Sequence, residues 1–301
     1  MGAKAQGARL DAALLRDLLA ILVQGAQGAV RLRVEGRSRA SGPPPEWLQQ
    51  AAHFDFVELQ AGSTRAIFES PPLWRAAPLF EQRPLFKEFD EEASAIQLMV
   101  ESLQDAVHGH ADSELFDPPL LKTFAGFRTL LGRNLDAVEI SNGDPRLYAR
   151  VTCKQLEPIR ELLRTTPPPQ RVRLAGHLDM IRDSDRMYTL RLEDGTSVKG
   201  VAEEIHPELL KDHWGSLVSI SGMATFRPSG RVLRIETESV ESATTDDLAV
   251  WSHPPRPTFA STTAPIVLRE QTSRSGINAL IGQWPGNETE EEFLAALDEL
   301  S

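Results

Sequence analysis

The chain of 301 residues contains one cysteine, Cys153, so no internal disulfide can form and a disulfide-stapled secreted fold is excluded. Cys153 ends a strand-like run where a small apolar residue fits, which predicts a core thiol rather than a nucleophile. Seven histidines are scattered, and only two pairs fall near one another: His108-x-His110, at a helix end without nearby cysteines, and His206 with His213, seven apart, which is not a recurrent metal-ligand spacing. There is no phosphate-binding glycine loop, no Gly-x-Ser-x-Gly elbow and no CxxC, and no carboxylate spacing singles out an acid/base pair. The expectation is a non-enzymatic protein without metal or cofactor. The apolar run Leu14 to Val23 is broken by Arg16 and Asp17 and is too short to span a bilayer, and the N-terminus lacks the order of a signal peptide. A cytoplasmic location with no membrane contact is therefore predicted. Positive charge is also short, 32 Lys and Arg against 43 Asp and Glu, for a net charge of −11. That balance disfavours non-specific attraction to nucleic acid or anionic lipid and leaves room for a basic partner.

What the sequence does contain is clearest from Arg171 to Glu241. Val172, Leu174, Gly176, Leu178 and Met180 alternate with Arg173, His177 and Asp179, the two-residue period of a half-buried strand. Met187 to Glu193 alternates in the same way, and Glu193-Asp194-Gly195-Thr196 supplies a hairpin turn before Ser197 to Val201. Pro207 to Trp214 changes to helical spacing with Gly215 as the stop. Ser216 to Phe226 and Arg231 to Val240 follow as strands, joined by Arg227-Pro228-Ser229-Gly230. The order β-β-β-α-β-β resembles the oligonucleotide/oligosaccharide-binding (OB) barrel, whose ligands cross strands two and three beneath the loops after strands one and four. On that likeness Arg182, Arg186, Arg191, Arg227 and Arg231 would meet phosphates and Tyr188 a base. Against it, only Tyr188 is placed to stack, and the barrel carries ten Lys and Arg against twelve Asp and Glu. Solvated turn residues on a barrel used for packing are the favoured reading, and nucleic acid the alternative.

Before the barrel, residues 1–165 read as a mixed α+β domain. A helix is predicted at about Leu10 to Gln24, a strand at Ala29 to Gly36, a short helix at Glu46 to Ala52, and a hairpin from Phe54 to Leu59 and Thr64 to Glu69. After an irregular stretch, Asp90 reads as the N-cap of a helix reaching His108. A further helix covers Pro118 to Leu131 before Gly132, a second hairpin joins Leu135 to Ile140 with Leu147 to Cys153, and a short helix spans Gln155 to Leu163. Pro167-Pro168-Pro169 separates this domain from a barrel at 171–243, and residues 244–301 form a linker and tail. The fold class is α+β.

The tail turns polar and proline-rich from Ser242 to Ser275, with Ala264 to Leu268 as one short apolar stretch. It ends on Gly282-Gln283-Trp284-Pro285-Gly286, then a capping-box pair, Thr289 and Glu292, ahead of Phe293, Leu294, Leu297 and Leu300 on one helix face. A helix this short is marginal alone and must bury that face against the chain itself or a partner. The segment Leu280 to Phe293 resembles the G-x-W-P-G-[DN]-E-[ST] tail of bacterial antitoxin-like proteins encoded beside toxins such as PIN-type ribonucleases. The remainder is similar to uncharacterised bacterial proteins with a Leu192-Glu193-Asp194-Gly195 hairpin. The resemblance implies a tail that wraps a toxin and blocks its active site, with Arg269 or Arg274 in the acidic metal site and Ile277, Leu280, Trp284, Phe293, Leu294 and Leu297 as apolar anchors.

Overall fold

The computed structural model describes residues 5–6, 9–60, 65–76, 90, 92–132, 135–141, 144, 147–182, 186–203, 205–254 and 257. Met1–Thr258 form one compact body, and the tail residues from 258 onward lie outside the described set. Two apolar cores divide this body, one drawn from residues 14–162 and the other from residues 172–240.

The first core is helical. After a two-residue ribbon, β1 (Ala5–Gln6) with β2 (Arg9–Leu10), helix α1 runs Ala12–Glu35. Asp11 caps its start by accepting the Leu14 N–H at 3.1 Å, and Gly36 ends it in the left-handed conformation at φ 71°, returning its N–H to Leu32 O. The predicted strand Ala29 to Gly36 is thus helix. Two glycines inside this helix are contact points, because a Cβ on Gly25 would lie 2.7 Å from Met99 Sδ and one on Gly28 3.0 Å from Leu120 Cδ1. Each glycine costs a helix about 1 kcal/mol relative to alanine. Here that cost is offset by the close seating of Met99 and Leu120. Helix α1 is long and apolar enough to cross a bilayer, a test that a core helix also passes, and Ala26, Ala29 and Val30 are wholly buried in the protein core.

The remaining elements of this half are α2 (Glu46–Ala51), the hairpin β3 (Asp55–Gln60) and β4 (Arg65–Glu69), α3 (Leu73–Ala76), α4 (Ala95–Val107), α5 (Pro118–Ala125), α6 (Phe127–Leu131), the hairpin β5 (Val138–Ser141) and β6 (Tyr148–Val151), and α7 (Leu156–Thr165). The cap of α4 is Ser94, which accepts from Gln97 N; Asp90 instead holds the preceding turn through Glu92 N. The helix predicted over Pro118 to Leu131 is two helices meeting at Gly126. Cys153 is exposed, because β6 stops at Val151 and Cys153 falls in the turn before α7, which corrects its expected place in the core.

The second core is a closed barrel of five strands: β7 (Gln170–Arg182), β8 (Met187–Arg191), β9 (Ser197–Val201), β10 (Leu217–Phe226) and β11 (Val232–Ser242), with helix α8 (Pro207–Asp212) between β9 and β10. Around the barrel the order is β7-β8-β9-β11-β10 and back to β7. Every pairing is antiparallel except β9 with β11, where Gly200 faces Ile235 and Val201 faces Glu236. β7 closes the ring by pairing its first half with β10 and its second half with β8, with an irregularity in the β8 register between Leu178 and Met180. After β11, Thr244 and Asp247 cap each other to start α9 (Thr245–Trp251), so the predicted linker begins with a helix. Asp247 lies 3.8 Å from Arg173 on β7, whose guanidinium also sits over the Trp251 ring.

Candidate functional site

The residues predicted to make a ligand groove on the barrel lie in several environments. Tyr188 is 1% exposed and its hydroxyl is 2.6 Å from Thr237 Oγ1 inside the barrel, so it has no face to offer a base. This corrects its expected stacking role. Inward alternation at Tyr188 and Leu190 decides the point, since Tyr188 shares the parity of the core residues of β8. Arg191 stands on the outer surface, 3.7 Å from Asp179. Arg186 occupies the turn before β8 with φ 54° and donates to Glu203 O, and Arg182 is the last residue of β7, in register with Met187.

Arg227 and Arg231 converge, and the side chains they meet come from the helical half of the same chain. The loop between α4 and α5 lays Ala111, Asp112 and Glu114 along the β10–β11 turn. Arg227 donates to Glu114 Oε1 at 2.6 Å and to Asp112 O at 3.0 Å, while Arg231 donates to Asp112 Oδ2 at 2.7 Å. Ser229 adds its N–H to Ala111 O at 2.9 Å and its hydroxyl to Asp112 Oδ1 at 2.8 Å. From the adjacent strand, Lys199 reaches Glu114 Oε2 at 3.1 Å.

A buried ion pair lies beside this row. Arg234, on the outer face of β11, donates to Asp117 Oδ2 at 3.3 Å and to Gly36 O at 3.0 Å, with side-chain exposures of 7% for Arg234 and 0% for Asp117. Asp117 also caps α5 through Leu120 N and accepts from both the N–H and the hydroxyl of Ser38. A Cβ on Gly36 would lie 3.1 Å from Met187 Cε, so the apolar contact at the edge of the row is close as well. Arg37 pairs with Glu203 at its far side. The helical half therefore covers the outer surface of β8, β9 and β11 and the loop between β10 and β11.

This row titrates. Burial raises the Glu114 pKa, but the charges of Lys199 and Arg227 outweigh it and hold the carboxyl below its ordinary value of 4.5. A depressed folded-state value contributes stability that is present above the ordinary glutamate range and is lost as pH falls through the folded value. Wild-type protein should therefore lose part of its resistance to urea below pH 4.5, and Glu114→Gln should lose less over the same interval. Parallel urea titrations would test this; equal acid losses in the two proteins would remove Glu114 as the cause.

The histidine pairs serve local structure. The His108 and His110 rings stack 5.7 Å apart, with His108 Nδ1 on Gln104 O and His110 Nδ1 on Asp105. His206 caps α8. Among the described residues no group of three His, Cys, Asp or Glu side chains is placed to hold a metal ion. The expected partner-binding residues Arg269, Arg274, Ile277, Leu280, Trp284, Phe293, Leu294 and Leu297 lie outside the described residues. No family model, curated protein or solved structure matches the chain.

Sequence reasoning missed Asp112, Glu114, Asp117, Lys199 and Arg234. Asp117 had a local signal, Asp-Pro-Pro ahead of an apolar helix, which is the pattern of a cap followed by proline in the first turn. Nothing local pointed to its second role as partner of a residue 117 positions away.

Proposed function

We propose that this protein is a non-enzymatic, cytoplasmic binding protein of antitoxin type, and that residues 264–300 carry its contact with a toxin. The observation that carries the reading is the sequence of the Leu280 to Phe293 segment, whose Gly282-Gln283-Trp284-Pro285-Gly286 run and the Thr289 to Phe293 pattern after it resemble the antitoxin-like tail. The fold supports it from the other side. With Asp112 and Glu114 seated on Arg227 and Arg231, the β10–β11 turn is engaged within the chain, and the body serves as a mount. Arg269 and Arg274 would supply charge-assisted contacts to an acidic nuclease site, with Trp284, Phe293 and Leu297 as anchors.

The test is copurification of the full chain and of a Trp284→Ala/Phe293→Ala variant with the product of the adjacent gene. Loss of two aromatic anchors is expected to weaken capture by about 30-fold or more, the scale of a hot-spot truncation. Equal recovery of that product with both proteins would sink the tail reading.

A second reading concerns the barrel. The ring order β7-β8-β9-β11-β10, with its single parallel pair, supports an OB-like assignment, the first strand being shared between the second and fourth. In that class the outer face of strands two and three and the loop between strands four and five hold the ligand. Here those are β8, β9 and the Arg227–Arg231 turn.

A further inference from the structure

We propose that the row formed by Lys199, Arg227, Arg231 and Arg234 is a binding site for single-stranded nucleic acid, held closed by the chain's own Asp112, Glu114 and Asp117. The proposal rests on the OB-like reading of the barrel. In a chain of net charge −11, four cations collect on β9, β11 and the turn between β10 and β11, and the facing loop meets them with carboxylates. Lys199 and Arg227 share Glu114, Arg227 and Arg231 share Asp112, and Arg234 takes Asp117. Such an arrangement of anions over a cationic strand face is the arrangement a phosphate backbone would take.

Two further features point to an exchangeable occupant. The carboxylates do not saturate the guanidinium groups, since the buried Nε atoms of Arg227 and Arg234 have no hydrogen-bond partner. A phosphate, with more acceptor oxygens than a carboxylate, would use those donors. The junction is also made largely of side-chain ion pairs and loop hydrogen bonds between two separate apolar cores, the kind of interface across which domains move. The overall negative charge then has a role: it keeps the protein off nucleic acid until the acidic loop withdraws.

The experiment compares full-length wild type with the near-isosteric Asp112→Asn/Glu114→Gln variant. Fluorescence anisotropy with labelled oligodeoxythymidine at low salt is read alongside hydrogen exchange at the Ser229 amide, which donates to Ala111 O. The variant is expected to lose protection at Ser229 and to bind at least about tenfold tighter than wild type, with a log–log salt slope of about −2 to −3 for three to four neutralised phosphates. Adding Arg231→Ala, at a side chain 73% exposed, should remove much of the gain without unfolding the protein. Retained protection at Ser229 would overturn the closing role of the acidic loop. Lost protection without oligonucleotide binding would instead overturn the OB-like ligand reading, and preference for an acidic peptide, Ala-Asp-Ser-Glu, over the oligonucleotide would overturn the nucleic-acid assignment.

Discussion

Replacing Asp117 with alanine is expected to destabilise the protein by about 3–5 kcal/mol, because it strips a buried cation of its buried counter-charge and leaves it only the half-exposed Glu236. Asp117 is 1% exposed and three groups depend on it: the α5 N-terminus through Leu120 N, the chain after α1 through Ser38, and β11 through Arg234. Truncation leaves Arg234 buried on Gly36 O and Glu236 with the carboxylate gone, and it leaves the Ser38 N–H without its acceptor. Loss of the cap alone accounts for about 1 kcal/mol. The remainder is the cost of a buried charge left with only the half-exposed Glu236 as partner, so Asp117→Asn, which keeps a capping oxygen, should fall between wild type and alanine. Removing both charges should be milder than the sum of the single changes, and a cycle with Arg234→Met should show a coupling of about 1–3 kcal/mol. Chemical denaturation reads all five proteins, wild type included. A loss under about 1 kcal/mol for Asp117→Ala would mean that water reaches Arg234 and that the pair does not hold the two cores together.

The position of Asp117 also marks how far the sequence could be read. Strand periodicity located the barrel strands, because one side of each strand faces a continuous core: Val172 and Leu174, Tyr188 and Leu190, Val218 and Ile220 repeat at a spacing of two. The Asp194-Gly195 turn was equally plain, with Gly195 at φ 82° and Asp194 Oδ1 accepting from Thr196 N. Helix α1 was legible only in its first half. Gly25 and Gly28 look like breakers in one dimension, and their reason, the approach of Met99 and Leu120, comes from elements some 75 to 90 residues later. The ion-pair row was not legible at all. Arg227 and Arg231 looked like free loop cations, and their partners Asp112 and Glu114 sit in a polar loop more than 110 positions earlier. Periodicity reports which face of an element is buried, but charge pairing between two elements depends on their docking, which no local pattern encodes.

Placing a side chain at Gly200 is expected to be among the most damaging small substitutions in the barrel. Gly200 on β9 pairs with Tyr188 on β8 and with Ile235 on β11, and a Cβ there would overlap the Tyr188 ring itself. The ring cannot swing aside. It is enclosed among the barrel core residues, and its hydroxyl is held by Thr237 at 2.6 Å, while burial keeps its pKa above the ordinary tyrosine value and so keeps the phenol neutral. Overpacking a core ordinarily costs about 1–3 kcal/mol, and a clash with a fixed aromatic ring belongs at or beyond the top of that range. Truncating the ring by Tyr188→Ala should cost about 3–5 kcal/mol through the cavity it leaves, whereas Tyr188→Phe should cost about 1 kcal/mol, the worth of one hydrogen bond. The decisive comparison is Gly200→Ala in the Tyr188→Leu background, where the added methyl meets space instead of a ring. If the clash is the cause, the penalty for Gly200→Ala measured by urea unfolding falls below about 1 kcal/mol in that background. If the penalty is unchanged, the backbone of β9 between its two partner strands requires glycine for a reason other than Tyr188.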